Sequence, residues 1–76
     1  MKKWILKCYA SEARRQLGMQ LGFPFCCVNQ SEEFAHVFCT NYATGVANGM
    51  RVRYKNPVVE VYEVTDGVEK LIDVRR

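Results

Sequence analysis

Cys8, Cys26, Cys27, Cys39 and His36 have the widest chemical repertoire in this chain of 76 residues. His36 and Cys39 stand three apart, a spacing that brings two metal ligands near one face of a helix. The paired CxxC ligands of zinc sites are missing. A helical wheel puts His36 on the wet side and Cys39 at the core boundary, so the pair reads as a surface imidazole and a packing thiol. The adjacent Cys26 and Cys27 do not suit one compact disulfide framework, and their neighbours are apolar and strand-like. Free thiols, buried or half-buried, are expected. A nucleophilic thiol needs a depressed pKa and access, and neither is visible around these cysteines.

The carboxylates offer one pair. In an antiparallel ribbon closed at Asp66-Gly67, Glu60 would lie opposite Asp73, where like charges repel and one pKa rises. Arg51 or Arg53 on a neighbouring strand would neutralise them, so the pair reads as structural. No glycine-rich loop is present to cradle phosphate. The chain is read as a non-enzyme that needs no cofactor and no metal.

The cations have a pattern of their own. Arg51, Arg53 and Lys55 alternate with Met50, Val52 and Tyr54 in MRVRYK. As a strand this gives one basic stripe, which Arg14, Arg15, Arg75 and Arg76 can extend, with Tyr9 or Tyr62 as stacking platforms for bases. Glu60, Glu69 and Asp73 fall on the same predicted sheet face and cancel much of that field. The net charge of +3 is too small by itself to announce a nucleic-acid binder.

The elements that position these residues are organised around PVVEVYEVTDGVEKLIDVRR, residues 57–76. Asp-Gly between two β-rich runs is a strong hairpin signal, because a type I′ turn needs positive φ at both central residues. Strands are expected at 58–65 and 68–74. The two-residue turn would pair Thr65 with Val68, Tyr62 with Leu71, Val61 with Ile72, Glu60 with Asp73 and Val59 with Val74. One face would carry Val59, Val61, Val68, Ile72 and Val74 as core, with Glu63 opposite Lys70. The other would carry Val58, Tyr62, Val64 and Leu71 among Glu60, Glu69, Asp73 and Arg75, a candidate partner surface.

Upstream, residues 2–9 alternate as a strand with Trp4, Leu6 and Cys8 inward. Residues 10–22 read either as a short helix capped by Ser11 and stopped at Gly18, or as a long mobile loop that holds Arg14 and Arg15. Residues 23–29, FPFCCVN, read as a second strand, with Pro24 at its start or on an edge. Residues 31–48 read as the one clear helix, from Ser31 at the N-cap to Asn48-Gly49. Its apolar stripe would be Phe34, Ala35, Phe38, Cys39, Tyr42, Gly45 and Val46, with Glu33, His36, Thr40, Thr44 and Ala47 opposite. Residues 50–55 read as a third strand. The fold class is α+β: a mostly antiparallel sheet of about five strands with one long helix on one face, in the order β-β-α-β-β-β.

Residues 1–76 make one domain, small enough that a dimer would add stability. Nine aromatics and 49% apolar residues exclude disorder. The N-terminal apolar run is only Trp4-Ile5-Leu6, too short for a signal peptide, and no run approaches a membrane span. A cytoplasmic location with reduced thiols is expected.

The order of elements resembles that of small proteins of phages and mobile elements, including certain anti-CRISPR inhibitors. The likeness lies in the Met-Lys start and first strand, a second strand ending near Ser31, one helix, a strand such as Met50-Arg51-Val52, and a closing hairpin at Asp66-Gly67. It carries over no catalytic or binding residue. It implies a binder that blocks a larger host complex through charged loops and a sheet face. The expected function is therefore that of a small protein-binding module, with Arg14, Arg15, Arg51, Arg53, Lys55, Tyr62 and Leu71 as contact residues. Two other expectations stand beside it: a nucleic-acid-binding domain using the basic strand face, and a homodimeric structural protein.

Overall fold

The closing hairpin turns at Asp66-Gly67, and both residues have positive φ, 50° and 81°, as a type I′ turn requires. The computed structural model describes the backbone of residues 2–27 and 32–76 and the side chains of residues 3–22 and 37–76. Its elements are β1 (Lys2–Tyr9), α1 (Glu12–Gln16), β2 (Leu21–Cys27), α2 (Glu32–Met50), β3 (Val58–Thr65) and β4 (Val68–Arg75). The strands form one antiparallel sheet in the order β2-β1-β3-β4. The α+β class with one main helix against an antiparallel sheet is as the sequence implies. The sheet has four strands, not five.

The missing strand is residues 50–55. Met50 is the last residue of α2, and the chain beyond it keeps turning: Arg51 N–H donates to Ala47 O at 3.2 Å and Tyr54 N–H to Met50 O at 2.8 Å. Local hydrogen bonds along the chain have outcompeted the strand that the alternation suggests. Asn48 and Gly49 do not stop the helix, and neither takes a positive φ. In the other uncertain segment, the helix reading of residues 10–22 holds. Ser11 Oγ accepts from Arg14 N–H, capping α1, and Gly18 follows with φ 72°. Strand β2 begins two residues earlier than expected, and the expected Val28 and Asn29 lie outside the described residues, as does the Ser31 cap.

The hairpin register holds from Thr65–Val68 to Tyr62–Leu71 and then shifts. Val61 pairs with Asp73, Glu60 with Val74 and Val59 with Arg75. The bulge inserts one extra residue on β4, so two residues there oppose one on β3. Ile72 still packs on the core. Val74 instead stands opposite Glu60, and Val68 is exposed. Glu60 and Asp73 are no longer partners.

The core lies between α2 and one sheet face. Trp4, Leu6 and Cys8 of β1 and Val59 and Val61 of β3 meet Cys39, Ala43 and Ala47 of α2. The sheet supplies the bulk and the helix supplies small residues, so α2 approaches closely. This rotates α2 from the expected orientation. Ala47 and Thr40, expected outside, are buried; Phe38, Tyr42 and Gly45, expected inside, are exposed. The side chains of Glu33, Phe34, Ala35 and His36 lie outside the described residues.

The other sheet face, expected as a partner surface, is buried at several positions. Ile5, Tyr9, Val58, Glu60 and Val64 on it are all buried. Part of the cover is α1, which packs against β1.

Candidate functional site

Two expected contact residues, Arg15 of the 10–22 segment and Tyr62 of the outer sheet face, are engaged within the fold. Arg15 Nε donates to Glu60 Oε2 at 2.7 Å, and Tyr62 Oη donates to Glu60 Oε1 at 2.9 Å. Tyr9 adds a further hydrogen bond to the same carboxylate. Lys7 Nζ lies 4.4 Å above the Tyr62 ring centroid and 2.7 Å from Glu69 Oε1. Arg15 also reaches both Glu12 oxygens at 3.2 Å. Glu60 is only 5% exposed. Burial pushes its pKa up, but hydrogen bonds from Arg15, Tyr62 and Tyr9 outweigh that and hold it below the usual glutamate value. Burial and the Glu60 carboxylate push Tyr62 up to about 12. A carboxylate held ionised and a phenol held protonated are poor proton-transfer groups at neutral pH. The cluster is a structural clasp.

The remaining cations have a common address. Tyr9 pairs with Val58, and Val59 with Arg75. Helix α1, the α2–β3 connection and the last residues of β4 therefore meet at the end of the sheet away from Asp66-Gly67. That end holds Arg14 and Arg15, Arg51, Arg53 and Lys55, and Arg75 and Arg76, seven of the eleven Lys and Arg residues. A cleft lined by Glu12, Arg51, Asn56, Pro57 and Arg76 joins the three segments.

The acids at this end are already matched. Arg15 holds Glu60, Arg76 Nη2 lies 2.5 Å from Glu12 Oε1, and Arg75 Nη2 lies 2.7 Å from Asp73 Oδ2. Arg14, Arg51, Arg53 and Lys55 are left without an acidic partner among the described residues. All four are exposed. Arg14 Nη1 rests 3.3 Å from Met19 Sδ, and Arg51 donates to Asn48 Oδ1.

Five of the seven expected contact residues lie at this end, Arg15 among them but bound into the clasp, while Tyr62 and Leu71 lie on β3 and β4. Arg51, Arg53 and Lys55 belong to a turn, not to a sheet stripe. Arg15 and Tyr62 are clasp residues. Leu71 is exposed on edge strand β4, opposite Tyr62 and away from the basic end. The partnership of Arg15 with Glu60 spans 45 residues, and no local pattern signals it.

Cys8 and Cys39 are buried and in no disulfide, and burial pushes the Cys8 pKa up, away from nucleophilic reactivity. The side chains of Cys26, Cys27 and His36 lie outside the described residues. Among the described residues no three His, Cys, Asp or Glu side chains group as metal ligands, and no helix is long and apolar enough to cross a membrane. No family model, no curated protein and no solved structure matches the chain.

Proposed function

We propose that the protein is a small protein-binding module that presents its basic end to an acidic partner. The observation that supports this is the set Arg14, Arg51, Arg53 and Lys55: exposed, grouped at one end, and unmatched by acid among the described residues, whereas the other cations there are paired. Cations held in solvent with no partner of their own steer and select an anionic surface. A module of this kind acts by occupancy, as an inhibitor does when it covers part of a larger complex. A cytoplasmic setting suits it.

The same cations support a second reading, a nucleic-acid binder. Four unmatched charges are fewer than the roughly 6–10 phosphate contacts of strong phosphate binders. Tyr54, the aromatic among them, is half-buried, which limits stacking. The protein reading is therefore favoured.

Titration with a hepta-glutamate peptide and with a single-stranded oligonucleotide of equal charge, each at two salt concentrations, tests both. The peptide is expected to bind, and an Arg51→Ala/Arg53→Ala/Lys55→Ala variant to lose most of that binding. An oligonucleotide that binds more tightly, with a log–log salt slope near about −3 as four phosphate contacts on a single strand imply, would favour the second reading. Equal binding by the variant and the parent overturns both.

A further inference from the structure

A cavity of about 250 Å³ opens beside the basic turn, lined by Cys8, Leu21, Gly22, Val46, Met50 and Tyr54. Its origin is a break in strand pairing. Leu6 pairs with Phe25, but Cys8 pairs with Leu21, so one residue of β1 faces three of β2. Strand β2 bulges at Gly22, whose φ is 53°. Helix α2 packs over β1, β3 and β4, and the space between its Val46–Met50 side and Leu21 is left open above the Cys8 thiol.

No lining residue is charged. The volume falls below the roughly 300–1,000 Å³ of small-molecule sites, but it suits a single large side chain. The chain that borders it is the reverse in character. Met50 and Tyr54 line the cavity, and Arg51, Arg53 and Lys55, their neighbours in sequence, are exposed. The Tyr54 N–H to Met50 O bond fixes that turn.

We propose that the cavity takes one bulky apolar side chain, leucine or phenylalanine, of a partner peptide whose flanking residues are acidic. The side chain seats over Cys8 between Leu21 and Met50, and its flanking carboxylates meet Arg53 and Lys55. An apolar core with a polar rim is the usual anatomy of a protein interface. This rests on the protein-binding reading and adds to it the chemistry of the recognised segment.

The test maps backbone amide shifts of the isotope-labelled protein against three capped pentapeptides, each raised past about 1 mM, the weak end of measurable affinity. These are Glu-Glu-Leu-Glu-Glu, the same peptide with Ser for Leu, and Lys-Lys-Leu-Lys-Lys. The first is expected to move residues 8, 21, 22, 46, 50 and 54 together with 51–55, and to bind at least tenfold more tightly than the serine peptide. The serine peptide should move 51–55 alone, and the lysine peptide should move nothing. Identical maps for the leucine and serine peptides overturn the cavity proposal and leave the basic-end reading standing. Lysine and glutamate peptides that bind alike overturn the basic-end reading. A map that is silent for all three overturns both. A Val46→Phe variant, checked for folding by circular dichroism, should fill the cavity and bring the leucine peptide down to the serine peptide's affinity.

Discussion

Arg15 Nε donates to Glu60 Oε2 at 2.7 Å, across 45 residues of sequence, and fastens α1 to β3 on the sheet face opposite α2. The carboxylate has almost no access to water, whereas the Arg15 side chain is 22% exposed. The pair is therefore asymmetric. The acid depends on the base for its solvation, and the base can be re-solvated when the acid is lost.

That asymmetry predicts unequal mutants. Arg15→Ala leaves a buried charge with only phenol donors and should cost about 2 kcal/mol, below the full penalty for a fully buried pair. For a domain of this size the melting temperature should fall by roughly 10 °C. Adding Glu60→Gln to Arg15→Ala should recover part of the loss, since the uncompensated charge goes. Urea denaturation of both variants checks this. An Arg15→Ala midpoint equal to that of the parent would show that α1 is not held by Glu60.

The same clasp sets a pH dependence at both ends of the scale. The Glu60 pKa is depressed in the folded state. Its contribution is present above the unfolded value of about 4.3 and is lost as pH falls through the lower folded value. The Tyr62 pKa is raised from 10.0 to about 12. Its contribution is present below pH 10.0 and is lost as pH rises toward about 12. Denaturation followed against pH should show a loss below about pH 4 in the parent that is reduced in a Glu60→Gln variant. On the alkaline side, phenolate absorbance should show one tyrosine titrating last, and Tyr62→Phe should remove it. A Tyr62 that titrates at its unfolded value of 10.0 would contradict the clasp.

These examples show what the chain disclosed in advance. The turn at Asp66-Gly67 and the pairs nearest it were legible, because a type I′ turn fixes register locally. The bulge at Ile72 was not, because neither Val61 nor Ile72 carries a bulge signal such as glycine. It is this slip that parts Glu60 from Asp73. The MRVRYK alternation looked like a strand, but helix α2 continued into the turn and won on local hydrogen bonds. Its cations survive as the candidate contact set for a different geometric reason. The cavity above Cys8 depends on how β2 departs from β1, which no single segment encodes.

Gly67 gives a direct test of the legible part. Its φ of 81° is one that L-residues avoid, and a Cβ there would touch nothing within 4 Å. The cost of Gly67→Ala is therefore backbone strain without a clash, about 1–2 kcal/mol. Asp66 already stands at φ 50° with a side chain tolerant of it, so Asp66→Gly should change stability by under about 0.5 kcal/mol. Thermal denaturation of the two variants separates them. An Asp66→Gly loss as large as that of Gly67→Ala would mean that the turn is not of this type.

Ala47 tests the rotation of α2, which decides both where the core lies and which side chains are left for the cavity. The hydrophobic pattern of the helix points Ala47 at water, because it sits opposite the large residues Phe38 and Tyr42. In the folded chain Ala47 is 1% exposed and packs in the cluster with Leu6 and Val59, while Phe38 is 47% exposed. Leucine at an outward position would be nearly neutral, since its helix propensity lies just below that of alanine. At the buried position Ala47→Leu adds three carbons to a filled interior and should cost about 1–3 kcal/mol. Thr44→Leu, one turn earlier and exposed, should be near neutral by comparison. Unfolding both variants in urea decides the matter. If Ala47→Leu is the better tolerated of the two, α2 faces the sheet with its aromatic side, Val46 and Met50 swing away from Leu21, and the opening above Cys8 does not exist.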